Sequence, residues 1–120
     1  TIILGAHEIS IDNGTVAHSL YQKTKAWERH RHRYEVNPKY IPQLTAKGLK
    51  FSGKSDANRR MEILELPGNR FHFATQYHAE FKSRPGRPSP PYFGLVQAAL
   101  APKVAIRRTQ QIAAQPSRAK

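Results

Sequence analysis

Cysteine is absent from this 120-residue chain. That zero excludes a disulfide framework, a cysteine-ligated zinc or iron–sulfur site, and a cysteine nucleophile among these residues. Acidic residues are scarce, 8 against 20 Lys+Arg, which leaves a formal net charge of +12. No apolar run approaches the ~20 residues that a membrane-spanning helix needs. The opening Thr1–Ser10 segment has neither the basic region nor the long apolar stretch of a secretory signal. A small secreted domain commonly relies on disulfides, so the missing cysteines point to a reducing, cytoplasmic setting. The first residue is Thr rather than Met, which reads as a fragment or a processed product.

What is present suffices for one small core. A chain of this length buries roughly two-thirds of its unfolded surface on folding. The basic excess invites a nucleic-acid reading, because clustered Lys and Arg neutralise phosphates and release counterions. Its distribution tempers that reading. The basic residues concentrate in Arg29–Arg33, Lys82–Arg87 and the segment after Leu100. That last segment, 101–120, lacks acidic and aromatic residues and reads as a disordered basic tail. No zinc knuckle or aromatic RNA-binding motif accompanies it, so nucleic acid is not the expected partner.

Thr1–Leu4 and Glu8–Ile11 read as strands, followed by a turn at Asp12-Asn13-Gly14. Val16–Lys25 suits a short helix or loop, and Tyr34–Val36 a strand ended by Asn37-Pro38. A short helix is expected from about Lys39 to Lys47, with Pro42 in its first turn and Gly48 just past its end. Leu49–Gly53, Met61–Leu66 and Phe71–Tyr77 are three further strands with hairpin-style connections. The proline-rich stretch from Pro85 leads into a helix from about Pro91 to Leu100, with Phe93, Val96 and Leu100 expected to face the core. These elements predict part of an α/β layered domain.

Two constellations carry chemistry. In Gln76-Tyr77-His78-Ala79-Glu80-Phe81, residues i and i+2 of an extended chain project together, so His78 and Glu80 can share a hydrogen bond. A base oriented by a carboxylate is what nucleophilic acyl transfer requires. Taken alone, a His near a Glu is more often an ordinary surface pair. The second constellation is Glu28-Arg29-His30-Arg31-His32-Arg33-Tyr34-Glu35. As a strand it places three arginines on one face, suited to forked bonds with a carboxylate or phosphate. A solvated basic edge is the plainer alternative. Metal binding by His30 and His32 finds no third ligand at motif spacing, so no metal site is expected.

Together the two motifs resemble the C-terminal half of the glutaminase domain in the CTP synthase family, whose glutaminases are class I glutamine amidotransferases. Further matching pieces are Gly48-Leu49-Lys50-Phe51-Ser52-Gly53, Met61 through Pro67, Gln76 through Pro85 and Pro88 through Leu95, with Thr1–Gly5 resembling the opening strand. The resemblance covers residues 1–100 and leaves the tail unmatched. It implies a partial flavodoxin-like α/β domain, a central sheet with flanking helices. It implies that His78 is the general base, Glu80 its orienting partner, and Arg33 the residue holding the α-carboxylate of substrate glutamine.

In that family a cysteine thiolate attacks the glutamine amide, and the released ammonia aminates UTP in a synthetase domain that uses Mg-ATP. The resemblance implies no cofactor in this segment. It also implies homotetramers for the full-length enzymes, with the rest of the glutaminase domain and the synthetase domain as partners. Two positions depart from the pattern: Ala79 where Pro is usual, and Ile3 where Arg is usual. The nucleophile and oxyanion donors lie upstream in the family, so these residues alone are expected to be inactive. Half a domain is also expected to expose apolar faces and to be poorly soluble. The competing readings are a non-catalytic remnant or basic module that binds RNA or another polyanion, and a different class I amidotransferase.

Overall fold

A computed structural model describes residues 2–101; the basic segment 102–120 lies outside them. Five strands form one sheet: β1 (Ile3–Ile11), β2 (Lys25–His32), β3 (Lys50–Ser55), β4 (Arg60–Glu65) and β5 (Phe73–Thr75). Their order is β2-β1-β3-β4-β5, and every pairing is antiparallel. Helices α1 (Val16–Tyr21), α2 (Ile41–Ala46) and α3 (Pro90–Leu100) flank it.

The two opening strand segments merge into β1, because Gly5 takes a positive φ of 83° and lets the strand run on. The basic run is itself a strand. In β2 the residues alternate, with Ala26, Glu28 and His30 buried and Trp27, Arg29 and Arg31 exposed. The expected strand at Tyr34–Val36 is not formed; those residues follow β2 irregularly, because pairing with β1 ends at His32 opposite Ile3. Phe71–Tyr77 contracts to three paired residues, since β5 pairs only with Ile63–Glu65 of β4.

The core gathers Ile9, Ile11, Ala17, Tyr21, Ala26, Ile63, Tyr77 and Ala79. Helix α1 is short and has two anchors. Thr15 accepts the His18 N–H at 3.0 Å, and the buried Glu65 carboxylate takes the Val16 and Ala17 N–H groups at 2.9 and 3.1 Å. A carboxylate at these unpaired first-turn donors satisfies both charge and hydrogen bonding. Helix α2 has Pro42 in its first turn, and Gly48 beyond it takes a φ of 100°, as expected.

Helix α3 corrects one expectation. Phe93, Val96 and Leu100 are exposed, and the inward stripe is Pro91 and Gly94. The reason is steric. Gly94 lies so close to Leu20 of α1 that a Cβ there would sit 2.7 Å from its side chain, so the smallest residue sets the contact face.

The sheet is strongly curled. β2 and β4 are separated by two strands, yet His30 of β2 and Glu62 of β4 approach to 2.6 Å. The segment after β5 completes the closure. Gln76 N–H donates to the Glu62 carbonyl at 2.9 Å, and His78 N–H donates to the Arg29 carbonyl at 3.0 Å. Three consecutive residues, Gln76 to His78, thus bridge β4 to β2.

Candidate active site

His78 sits at the N-cap of a 3-10 turn, Ala79–Phe81, rather than in a strand. Its own backbone is extended (φ −103°, ψ 95°), and the turn then brings Glu80 back beneath the ring. Nδ1 of His78 lies 2.6 Å from Oε1 of Glu80. The pair is solvent-accessible, with the two side chains 39% and 53% exposed. The hydrogen bond from His78 holds the Glu80 carboxyl below the usual carboxylate range. Glu80 is therefore ionised at neutral pH, and with Nδ1 engaged, Nε2 is the free nitrogen of the ring.

Sequence reading missed two supports of this pair. Tyr92, on the first turn of α3, donates to Oε2 of Glu80 at 3.3 Å. Slight desolvation and the neighbouring Glu80 carboxylate raise the phenol of this exposed Tyr92, which keeps it a donor. Beneath His78, Tyr77 is buried, and its hydroxyl meets that of Tyr21 at 2.8 Å. Tyr21 in turn donates to Glu28 Oε1 at 2.9 Å. Burial pushes both phenols far above their ordinary value, and it also raises Glu28. No local pattern joins residues 21, 28 and 77. The one sequence signal was the polar Glu28 at an inward position of an alternating strand.

The arginines do not share one face as expected. Arg29 and Arg31 are exposed on β2, whereas Arg33 lies one residue past the strand end. Nδ1 of His32 donates to the Tyr34 carbonyl at 2.9 Å, clasping the turn that carries Arg33. The structure thus gathers His78 and Glu80 directly, ties His78 to the arginine-rich strand through the Arg29 carbonyl, and presents Arg33 from the end of that strand. It also brings Glu62 to His30 and His32, supplying a third potential metal ligand that residue spacing did not reveal.

Among the described residues no helix is long and apolar enough to cross a membrane. Residues 3–98 match the family model for glutamine amidotransferase class-I. The chain is 62% identical over 112 residues to a CTP synthase of Archaeoglobus fulgidus, covering 93% of this chain and 20% of that protein. It is 59% identical over 100 residues to a CTP synthase of Pyrococcus furiosus, covering 82% of this chain and 19% of that one. The chain therefore spans about a fifth of the length of these curated relatives. Among solved structures, the glutaminase domain of Trypanosoma brucei CTP synthase with bound acivicin superposes with a TM-score of 0.78 at 38% identity. That match covers 82% of this chain and 40% of the other. A match over nearly all the described residues, with a shared fold and sequence, establishes that the chain belongs to the class I glutamine amidotransferases and resembles the glutaminase domain of CTP synthases.

Proposed function

We propose that these residues are part of a glutamine-hydrolysing CTP synthase and contribute the general base and its orienting carboxylate to the glutaminase site. The observation that carries the reading is the 2.6 Å contact between His78 Nδ1 and an ionised, accessible Glu80. Nε2 of His78 takes the proton from a cysteine thiol supplied by the remainder of the glutaminase domain. The thiolate adds to the glutamine side-chain amide carbon. The tetrahedral intermediate then collapses to a thioester as His78 returns the proton to the departing ammonia. Water activated by the same nitrogen then releases glutamate. Glu80 stabilises the imidazolium in both halves of the cycle. Arg33 holds the α-carboxylate of glutamine by forked hydrogen bonds.

The surface agrees with such a division of labour. Leu4, Trp27, Phe93, Leu95, Val96 and Leu100 are all exposed. An apolar display of that extent suits a piece of domain that packs against more polypeptide. UTP and Mg-ATP belong, in this reading, to the synthetase part, and ammonia passes to it from the glutaminase site. Assembly into a cytoplasmic homotetramer is likewise a property of the intact enzyme.

The test uses the full-length natural polypeptide. His78→Ala should lower glutamine-dependent CTP formation by about 10²–10⁴-fold, while formation from added ammonia continues. Arg33→Ala should raise KM for glutamine and leave the ammonia reaction alone. Equal loss of both reactions in His78→Ala would refute the assigned role. Steeply salt-dependent RNA binding by a polypeptide with neither activity would favour the polyanion-binding module instead.

A further inference from the structure

We propose that His30, His32 and Glu62 form a binding site for a divalent transition-metal ion of the zinc class. One ligand atom from each of these residues lies within 4.8 Å of the other two. Both rings are oriented as metal-binding histidines are. Nδ1 of His30 meets the Glu28 carbonyl at 3.0 Å, and Nδ1 of His32 meets the Tyr34 carbonyl at 2.9 Å. A carbonyl only accepts, so each Nδ1 carries a hydrogen, and Nε2 is the atom each ring has left for a ligand. Glu62 is oriented too: Ser55 Oγ donates to its Oε1 at 2.6 Å, which leaves Oε2 for the cluster.

Two features call for a cation. Nε2 of His30 lies 2.6 Å from Oε2 of Glu62, both side chains fully buried, and two lone pairs cannot share that distance without positive charge between them. A proton satisfies that contact alone. It leaves Nε2 of His32 as a buried nitrogen with no partner. A metal ion satisfies all three ligands together. Two imidazoles and one carboxylate suit zinc, cobalt or nickel, and not magnesium or calcium, which take oxygen ligands. Tetrahedral bonds of about 2.0–2.2 Å set ligand atoms roughly 3.3 Å apart, so Glu62 would withdraw from His30 by about 0.5–1 Å. His32 is only partly buried, and the ion and a fourth, water ligand would enter on its side. The bound ion would staple β2 to β4, two strands with no backbone pairing between them.

The experiment is zinc titration of the full-length natural polypeptide and its His32→Ala variant, both stripped with chelator. Metal content is read by mass spectrometry, and Tm with and without zinc. Folding of the variant is checked by circular dichroism, and His32→Gln serves if His32→Ala proves unfolded. The parent should bind one zinc per chain more than the variant, or bind that zinc about 100-fold more tightly. Its Tm should rise with zinc and stay fixed with magnesium. Nitrogen-15 NMR of the histidine rings should show the Nε2 resonances of His30 and His32 shifting together on zinc addition. Identical zinc stoichiometry and affinity in parent and folded variant would overturn the proposal. So would ring resonances that respond to pH and not to zinc, which would make the His30–Glu62 contact a shared proton only.

Discussion

The backbone N–H of His78 lies 3.0 Å from the carbonyl oxygen of Arg29. This one hydrogen bond joins the two chemically loaded stretches of the sequence, 49 positions apart by number. It is a main-chain contact, so it does not depend on either side chain. It places His78 against the strand whose end presents Arg33.

Glu80 owes its lowered pKa to its donors, His78 first and Tyr92 after it, and that shift is testable. A carboxyl whose folded pKa is depressed keeps its stabilising contact above its unfolded pKa and loses it as pH falls through the folded value. Removing a donor should move that loss to higher pH. Tyr92→Phe should therefore shift the Glu80 titration toward the ordinary carboxylate range, as read by carboxyl carbon-13 NMR. Unchanged titration would mean that the 3.3 Å contact contributes nothing.

Glu28 has the opposite sign. Burial raises its folded pKa, so folding favours the protonated form. The associated stability is full below the unfolded pKa and is lost as pH rises through the folded value. Glu28→Gln keeps an acceptor for Tyr21 and removes the charge. Thermal melts should show parent and variant alike near pH 4, with the variant the more stable by neutral pH. A gap that shrinks with rising pH would contradict the assignment.

The two phenols of the buried chain should not be equivalent. Tyr77 ends the chain, whereas Tyr21 donates to the Glu28 carboxylate. Tyr77→Phe should cost about 1 kcal/mol, the worth of one neutral hydrogen bond. Tyr21→Phe strands a buried carboxylate as well and should cost about 2–3 kcal/mol or more. Urea denaturation of both variants measures the order.

Two glycines with similar crowding should behave differently. A Cβ on Gly53 would lie 2.6 Å from the Cδ1 and Cγ1 atoms of the buried Ile63, and on Gly94 it would lie 2.7 Å from a Leu20 methyl. Ile63 is held in the sheet core, while the Leu20 methyls are the end of a side chain only partly buried. Gly53→Ala should lose about 1–3 kcal/mol through overpacking. Gly94→Ala should lose less, because alanine in a helix recovers about 1 kcal/mol over glycine. Their relative Tm values decide it.

Much of this protein was legible in its residue order. Alternation and turn residues located β1, β3 and β4 and helices α2 and α3, because strand period and proline or glycine placement are local properties. The His78–Glu80 contact was legible as well, although a 3-10 turn rather than a strand achieves it. The family resemblance rested on contiguous motifs, and the amidotransferase match bears it out. What stayed hidden depends on how distant segments meet. The basic run is the edge strand that its alternation allowed, but the strand expected at Tyr34–Val36 does not form, because β1 offers a partner only as far as His32. The outward turn of Phe93, Val96 and Leu100 was decided by Gly94 against Leu20.

Sequence alone determined the chemistry available: a base, a carboxylate, arginines, and no thiol. Tertiary structure decided which distant groups meet, because curling the sheet brings Glu62 of β4 to His30 of β2, and the segment after β5 carries His78 back to Arg29. That closure is a property of the whole packed sheet, and no window of residues contains it.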